Sequence, residues 1–185
     1  MKLVLINPRN KVSLYGDYRW EPLSLGYVAA ATPPGWEIEL IDEQCEEPLD
    51  YHQVHADLVG ITAFTTQAPR AYRIASEFRA RGIPVVLGGI HASLVPDEAA
   101  RFADAIVMGE CEAVWPDALA DFAAGTLRPR YVGGTRSAIA CQPDRRLFEK
   151  YQYDYASAQT ARGCPMDCSF CSVTAFNGRV FRMRE

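Results

Sequence analysis

The sequence lacks the features of a membrane, secreted or nucleic-acid-binding protein. No apolar run reaches the roughly 18 residues of a membrane-spanning helix, and the N-terminus is apolar only over residues 3–6, too short for a secretory signal. Basic residues are outnumbered, 19 Lys and Arg against 23 Asp and Glu, for a net charge of -4, whereas non-specific nucleic-acid binding needs clustered cations. We therefore expect a cytoplasmic protein with no membrane span and no nucleic-acid partner.

The remaining composition is that of a globular protein. The chain has 185 residues, 49% of them hydrophobic and 23% charged, enough for one domain of about 100–150 residues and a smaller remainder. Residues 1–144 hold 12 Lys and Arg against 19 Asp and Glu, whereas residues 145–185 hold 7 against 4. Weak apolar periodicity around Gly133 and Gly134 separates the two parts. We predict an α/β domain over 1–126, a linker with at most an edge hairpin over 127–155, and a distinct segment over 156–185.

Five short apolar or β-branched runs alternate with segments of helical spacing, a pattern typical of parallel strands joined by crossover helices. The runs are residues 3–6, 37–41, 58–62, 85–88 and 105–108. Helices are expected from Pro22, between the third and fourth runs, and near Pro96 and Trp115. The pattern predicts an α/β fold with an open, doubly wound (flavodoxin-like or Rossmann-like) five-stranded parallel sheet. The loop over 9–21 is long enough to be functional.

Ligands of such folds bind at the carboxyl ends of the strands, so the residues there are the candidate site. Glycine leaves space for a ligand, and a threonine hydroxyl can donate a hydrogen bond. An alternative is that the double glycine is only a strand-to-helix turn and that His91 is a polar turn residue. The candidates are Thr62 and Thr65 after the third strand, Gly88, Gly89 and His91 after the fourth, and Gly109 and Glu110 after the fifth.

Three of the six cysteines, Cys164, Cys168 and Cys171, fall within eight residues with the spacing C-x3-C-x2-C. Soft thiolates select iron–sulfur clusters, zinc or copper(I), and three of them leave one iron of a four-iron cluster open to a further ligand. A zinc site would need a fourth ligand, for instance Cys111 or Cys141, and a disulfide would leave one cysteine over. The spacing favours the cluster, with Cys45, Cys111 and Cys141 as bystanders.

With Phe170 directly before its third cysteine, the triplet resembles the C-x3-C-x-aromatic-C signature of the radical S-adenosylmethionine (radical SAM) superfamily. The resemblance implies that Cys164, Cys168 and Cys171 hold a [4Fe-4S] cluster and that S-adenosylmethionine chelates its fourth iron. Phe170 is then expected near the adenine. The last segment, 156–185, is accordingly expected to be the truncated start of a radical SAM barrel, of which roughly 200 further residues normally follow.

The upstream domain resembles the cobalamin-binding domain that precedes the barrel in one class of radical SAM enzymes. The resemblance rests on Asn7-Pro8, Pro22-Leu23-Ser24-Leu25-Gly26, Asp57-Leu58-Val59-Gly60-Ile61-Thr62, Val85-Val86-Leu87-Gly88-Gly89-Ile90-His91-Ala92 and Asp104-Ala105-Ile106-Val107-Met108-Gly109-Glu110. It implies that Thr62, Gly88 and Gly89 border the groove for the nucleotide tail of cobalamin. Thr65, His91, Gly109 and Glu110 are further candidate contacts.

Two departures from the cobalamin-binding pattern have consequences. The loop after the first strand reads Asn7-Pro8-Arg9-Asn10-Lys11-Val12 instead of the D-x-H-x-x-G of methionine-synthase-type domains, so we predict base-off cobalamin without a histidine on cobalt from this loop. The usual G-E-G-E after the fifth strand reads Gly109-Glu110-Cys111-Glu112. Cysteine in the third place would be strained if its φ were positive.

The resemblance implies that the chain is the N-terminal part of an enzyme and is inactive alone. An electron donor such as flavodoxin or ferredoxin would reduce the cluster, S-adenosylmethionine would yield a radical that abstracts hydrogen from a small-molecule substrate, and cobalamin would deliver a methyl group to an unactivated carbon. Cyclisation is the second candidate reaction. Two alternatives stay open: a radical SAM enzyme whose first domain is a scaffold without cobalamin, and a non-enzymatic α/β binding domain with a zinc-stabilised tail.

Overall fold

The computed structural model describes residues 1–10, 18–47, 50–134 and 141–184. Within these ranges a six-stranded parallel sheet with the order β2-β1-β3-β4-β5-β6 forms the centre of the protein. The strand order changes direction between β1 and β3, which is the switch point of a doubly wound sheet. The strands are β1 (Lys2–Asn7), β2 (Glu37–Asp42), β3 (Leu58–Thr62), β4 (Val85–Gly88), β5 (Ala105–Met108) and β6 (Arg130–Val132).

The predicted doubly wound α/β fold is confirmed, but the sheet has six strands rather than five. The additional strand, β6, lies in the range predicted as a linker and pairs parallel to β5, so it is not part of a hairpin. Only Tyr131 of its three residues is buried. A strand this short shows no apolar periodicity in the sequence. The strand is defined by its backbone pairing, in which Ile106 N donates to Pro129 O (3.0 Å) and Gly133 N to Met108 O (2.8 Å).

Helices cover both faces of the sheet. They are α1 (Leu23–Ala31), α2 (Ala68–Ala80), α3 (Gly89–Leu94), α4 (Pro96–Ala99) and α5 (Trp115–Ala123). A further helix, α6 (Val173–Asn177), lies in the final segment and has no buried residue. Helix α2 buries Ile74 and Phe78 in one core, whereas α1 and α5 bury Leu25 and Trp115 in the other. The six-residue α3 starts on Gly89 directly after β4, and it is too short to show an apolar periodicity in the sequence.

The chain after β6 returns to the sheet. A short 3-10 turn over Arg145–Phe148 buries Phe148, 3% exposed, in the core beside α1. Asp144 N donates to Gly26 O (2.9 Å), and the Tyr151 hydroxyl donates to Leu40 O (3.0 Å). The division into domain, linker and final segment stays a prediction. Parts of the predicted linker (135–140) and of the loop 9–21 (11–17) lie outside the described residues.

The final segment forms a small antiparallel hairpin. Its strands, β7 (Ala161–Arg162) and β8 (Arg182–Met183), enclose the three cysteines and α6. The expectation that this segment begins a radical SAM barrel is not tested by the structure. In the described parts of the chain, the helices are all too short or too polar to cross a membrane.

Candidate functional site

A cavity of about 190 Å³ opens at the carboxyl edge of the sheet. Its floor is apolar, with Leu5, Val86, Val107 and the indole ring of Trp115. That ring is fixed in place because its Nε1 donates to Thr32 Oγ1 (2.9 Å). Largely apolar walls with a few polar groups are typical of sites for small organic ligands.

Two of the predicted residues, Gly88 and Gly89, line this cavity for different reasons. Gly88 has φ -137°, and a Cβ there would meet only Val107 O, at 3.8 Å; its missing side chain leaves space in the cavity. Gly89 has φ +89°, and a Cβ would lie 2.8 Å from Thr62 Oγ1. The sharp turn from β4 into α3 therefore requires glycine at position 89.

Thr62 and Ser24 supply hydroxyl groups at the wall, with their oxygens 3.5 Å apart. Thr62 ends β3, and Ser24 lies in the first turn of α1. Hydroxyls at the wall of an apolar cavity can bind the polar atoms of an organic ligand.

Thr65 and His91 are not among the described lining residues. His91 is 5% exposed, with Nε2 2.7 Å from the Tyr72 hydroxyl and 3.6 Å from Glu98 Oε1, and Nδ1 3.3 Å from Thr65 Oγ1. The structure thus places both side chains in a polar group between α2 and α3. This arrangement favours the alternative of a structural histidine.

The loop after β5 packs tightly against the end of β6. Gly109 has φ +71° and donates its N–H to Ser93 Oγ (2.9 Å). A Cβ on Gly133 would lie 1.7 Å from Glu110 O, so this glycine, which the sequence suggested only as part of a linker, allows the close approach. No described residue other than glycine has a positive φ, so Cys111 in the third place of the motif causes no strain.

Glu110, Glu112, Arg162 and Arg182 form a mostly buried group of charges, the arginine–glutamate cluster. Arg182 Nη1 donates to Glu110 Oε2 (2.8 Å), its Nη2 pairs with Glu110 Oε1, and Arg162 lies 3.2 Å from Glu110 Oε2. Arg162 Nη2 also donates to Glu112 Oε1 (2.5 Å). Burial alone raises the pKa of Glu110, but the two guanidinium groups outweigh it and hold that pKa below its usual range. The predicted site residue Glu110 thus faces two arginines.

The final segment supplies the outer wall of the cavity. Gln159, Phe176 and Asn177 line it together with Arg162. The Arg162 guanidinium lies over the Tyr27 ring, 4.8 Å from its centroid, and Arg184 Nη1 donates to the Tyr27 hydroxyl (3.0 Å). These contacts join residues more than 100 positions apart, so sequence periodicity carried no signal for them.

The cysteine triplet lies beside this wall on an exposed loop. Gly163 has φ +83°, and a Cβ there would lie 2.0 Å from Val180 O, so the loop can start only from glycine. Cys171 N donates to Cys168 O (3.1 Å) and Cys164 N to Gly178 O (3.2 Å). All six cysteines are free, and Phe170 is 90% exposed. Among the residues that the structure describes, no three His, Cys, Asp or Glu side chains converge as metal ligands.

A second buried polar group fixes the ends of β1 and β2. Glu43, fully buried, accepts from Arg70 Nε (3.0 Å) and from the Tyr51 hydroxyl (2.9 Å). Gln67 Nε2 donates to Pro8 O (2.6 Å), and Asn7 Nδ2 to Asp42 Oδ1 (2.9 Å). Residues 7–9, where methionine-synthase-type domains begin their histidine motif, are held by these amide and carboxylate groups.

Replacing Glu43 by Gln is expected to destabilise the fold at neutral pH by about 3 kcal/mol, because Arg70 then loses its buried counter-charge. Burial raises the pKa of Glu43, but Arg70, the Arg9 N–H and Tyr51 outweigh it, so the pKa is lowered. Its stabilisation is therefore present above the unfolded pKa and is lost as the pH falls through the folded value. Urea unfolding at pH 7 and at pH 3 measures the difference.

The E43Q variant should lose less stability on acidification than the unaltered chain. Asp97→Asn, which removes the exposed partner of Arg130, is the matched control. It should leave the free energy of unfolding unchanged at both pH 7 and pH 3. If the E43Q variant and the unaltered chain lost the same stability on acidification, the assigned role of the Glu43 carboxylate in acid sensitivity would be contradicted.

Comparison with known proteins decides the family. Residues 12–119, which contain β2 to β5 and most of the cavity lining, match the family described as "B12 binding domain". The chain belongs to the B12-binding domain family. The resemblance to the cobalamin-binding domain that precedes the barrel in one class of radical SAM enzymes is confirmed as well, and relatives of the chain are named methyltransferases.

One relative is the bacteriochlorophyllide d C-8(2)-methyltransferase of Chlorobaculum tepidum, 39% identical over 172 residues, which are 88% of this chain and 38% of the relative. The chain thus spans about two fifths of the length of this relative. Two solved structures share the fold. The cobalamin-dependent S-adenosylmethionine radical enzyme OxsB with aqua-cobalamin bound has a TM-score of 0.72 at 16% identity, covering 99% of this chain and 30% of OxsB. The radical S-adenosylmethionine methyltransferase TsrM from Kitasatospora setae has a TM-score of 0.67 at 19% identity, and the match covers 100% of this chain and 43% of TsrM.

Proposed function

We propose that this B12-binding chain holds the nucleotide tail of cobalamin in the carboxyl-edge cavity and carries a [4Fe-4S] cluster on Cys164, Cys168 and Cys171, as part of a radical SAM methyltransferase. The observation that carries the proposal is the open space at Gly88, at the switch-point edge of a B12-binding sheet and beneath the cysteine-bearing segment.

The lining of the cavity suits the largely apolar base at the end of the cobalamin tail. Val86, Val107 and Trp115 offer apolar walls, and Gly88 leaves room for the tail to enter. The hydroxyls of Thr62 and Ser24 can bind polar atoms at its rim. The polar group around Asn7 and Gln67 fixes residues 7–9 by amide and carboxylate contacts, and the sequence from Asn7 to Val12 contains no histidine, in agreement with base-off binding.

The donor set fits an iron–sulfur cluster. Three free thiols lie within eight residues of one loop, and thiolates are the ligands that iron–sulfur clusters select. A four-iron cluster on these three thiolates would leave one iron open for S-adenosylmethionine. The exposed Phe170 ring is available to stack on the adenine.

When bound, the cluster supplies an electron for cleavage of S-adenosylmethionine, and cobalamin supplies a methyl carrier. The residues of this chain bind and orient the two groups. We propose methyl transfer to an unactivated carbon of a small molecule, with an electron donor such as flavodoxin or ferredoxin, in the cytoplasm. The relatives named as methyltransferases of bacteriochlorophyllide support this reaction class.

The test is the metal content of the unaltered chain. We expect about four irons and four sulfides per chain after anaerobic reconstitution, and one cobalt with a base-off spectrum after incubation with hydroxocobalamin and desalting. Zinc without iron would overturn the cluster. A histidine-ligated cobalt spectrum would overturn the predicted coordination, and absence of cobalt would overturn the tail site in this chain.

A further inference from the structure

The arginine–glutamate cluster joins the loop after β5 to the hairpin that carries the cysteines. Glu110 lies on the first of these elements, and Arg162 and Arg182 lie on the two strands of the second, β7 and β8. Arg162 is separated from Cys164 only by Gly163. The segment between β7 and β8, which contains the three cysteines and α6, is called the cysteine loop. The arginine–glutamate cluster therefore contacts the chain at both ends of this loop.

The cluster is buried. The side chains of Arg162 and Arg182 are each 7% exposed and that of Glu110 is 9% exposed. Arg182 Nη2 also donates to Asn177 O (3.0 Å), at the end of α6, and Arg162 Nε to Gln159 Oε1 (2.8 Å). Both of those partner residues line the cavity, so the same two guanidinium groups hold the cavity wall and the loop.

We propose that Glu110 is a positioning residue that, through Arg162 and Arg182, holds the cysteine loop and α6 over the carboxyl-edge cavity. The role differs from that of a cobalamin contact, because both carboxylate oxygens of Glu110 are engaged by arginine. Removing one partner of a buried charge pair leaves the other charge uncompensated. The negative charge of Glu110 is thus what the two arginines require, and a neutral side chain of the same size does not replace it.

The proposal predicts a local effect of Glu110→Gln. In the full chain without metal, hydrogen exchange by mass spectrometry should show peptides over 159–184 exchanging at least about tenfold faster, with those of β1 and β3 unchanged. Arg182→Gln should give the same pattern, and because the two residues act as one unit the double variant should add little to either. Asp97→Asn, at the exposed pair with Arg130, should change nothing.

Rescue separates the charge from a loss of packing. Glu110→Asp keeps the charge and should stay within about threefold of the unaltered chain. Fast exchange throughout the sheet, unaltered exchange in the E110Q variant, or an E110D variant as fast as E110Q would each overturn the proposal.

The consequence for the cluster rests on the proposed function. Reconstituted E110Q protein should retain less than half the iron of the unaltered chain, and E110D protein should retain nearly all of it. If the unaltered chain holds no iron, the proposed cluster has failed, whereas the exchange pattern still tests the positioning role. If the unaltered chain holds iron and the E110Q variant holds the same amount, the positioning role is overturned and the cluster stands.

Discussion

Replacing Gly88 by Leu is expected to abolish cobalamin binding while the sheet stays folded. The φ of -137° at this position is extended backbone that any residue adopts, and a Cβ there would make only an ordinary contact with Val107 O, at 3.8 Å. The four added carbons then fill part of a cavity of about 190 Å³ that the nucleotide tail needs. The dissociation constant measured by visible-spectrum titration should rise at least about a hundredfold, a loss of about 2.8 kcal/mol.

Gly134→Leu is the matched control, since a Cβ on Gly134 meets nothing within 4 Å and Gly134 does not line the cavity. It should bind cobalamin like the unaltered chain. Unaltered affinity in the G88L variant, with a normal circular dichroism spectrum, would place cobalamin elsewhere.

Replacing any one of Cys164, Cys168 or Cys171 by Ala is expected to remove nearly all of the reconstituted iron. A four-iron cluster on three protein thiolates cannot lose another ligand and stay bound. Iron and sulfide analysis after desalting, with the absorbance near the sulfide-to-iron charge-transfer band, measures the loss. Cobalamin binding by the same variants should be unchanged, because none of the three side chains lines the cavity.

The other cysteines provide matched controls. Cys45→Ala, Cys111→Ala and Cys141→Ala should keep the full iron content, since all three lie outside the cysteine loop. Loss of metal from the C111A or C141A variant would instead indicate a four-ligand site of the zinc type.

The sheet was predictable because buried parallel strands are continuous apolar runs. In β1, Leu3 and Leu5 point to one core and Val4 and Ile6 to the other, all fully buried. Strand β6 gave no such signal, since it exposes two of its three residues. Its pairing depends on Gly133, which the sequence suggested only as part of a linker.

The sequence predicted the residues of the candidate site at the edge of the sheet, but not those of the outer wall of the cavity. Thr62, Gly88 and Gly89 follow strands, and strand ends meet at one edge, so their place in the cavity followed from the fold. The sequence also predicted Glu110 as a site residue. Its two arginine partners are 52 and 72 residues away along the chain, and ion pairs over such separations leave no pattern in the local sequence. His91 followed a strand as well, yet its ring turned away to Tyr72.

The central claim, that the carboxyl-edge cavity holds the nucleotide tail, is tested most directly with cobinamide, which is cobalamin without that tail. Competition titration on the unaltered chain compares the two ligands under one condition. The account predicts that cobalamin binds at least about tenfold more tightly and that the G88L variant abolishes this difference. Equal affinities for cobalamin and cobinamide in the unaltered chain would contradict it.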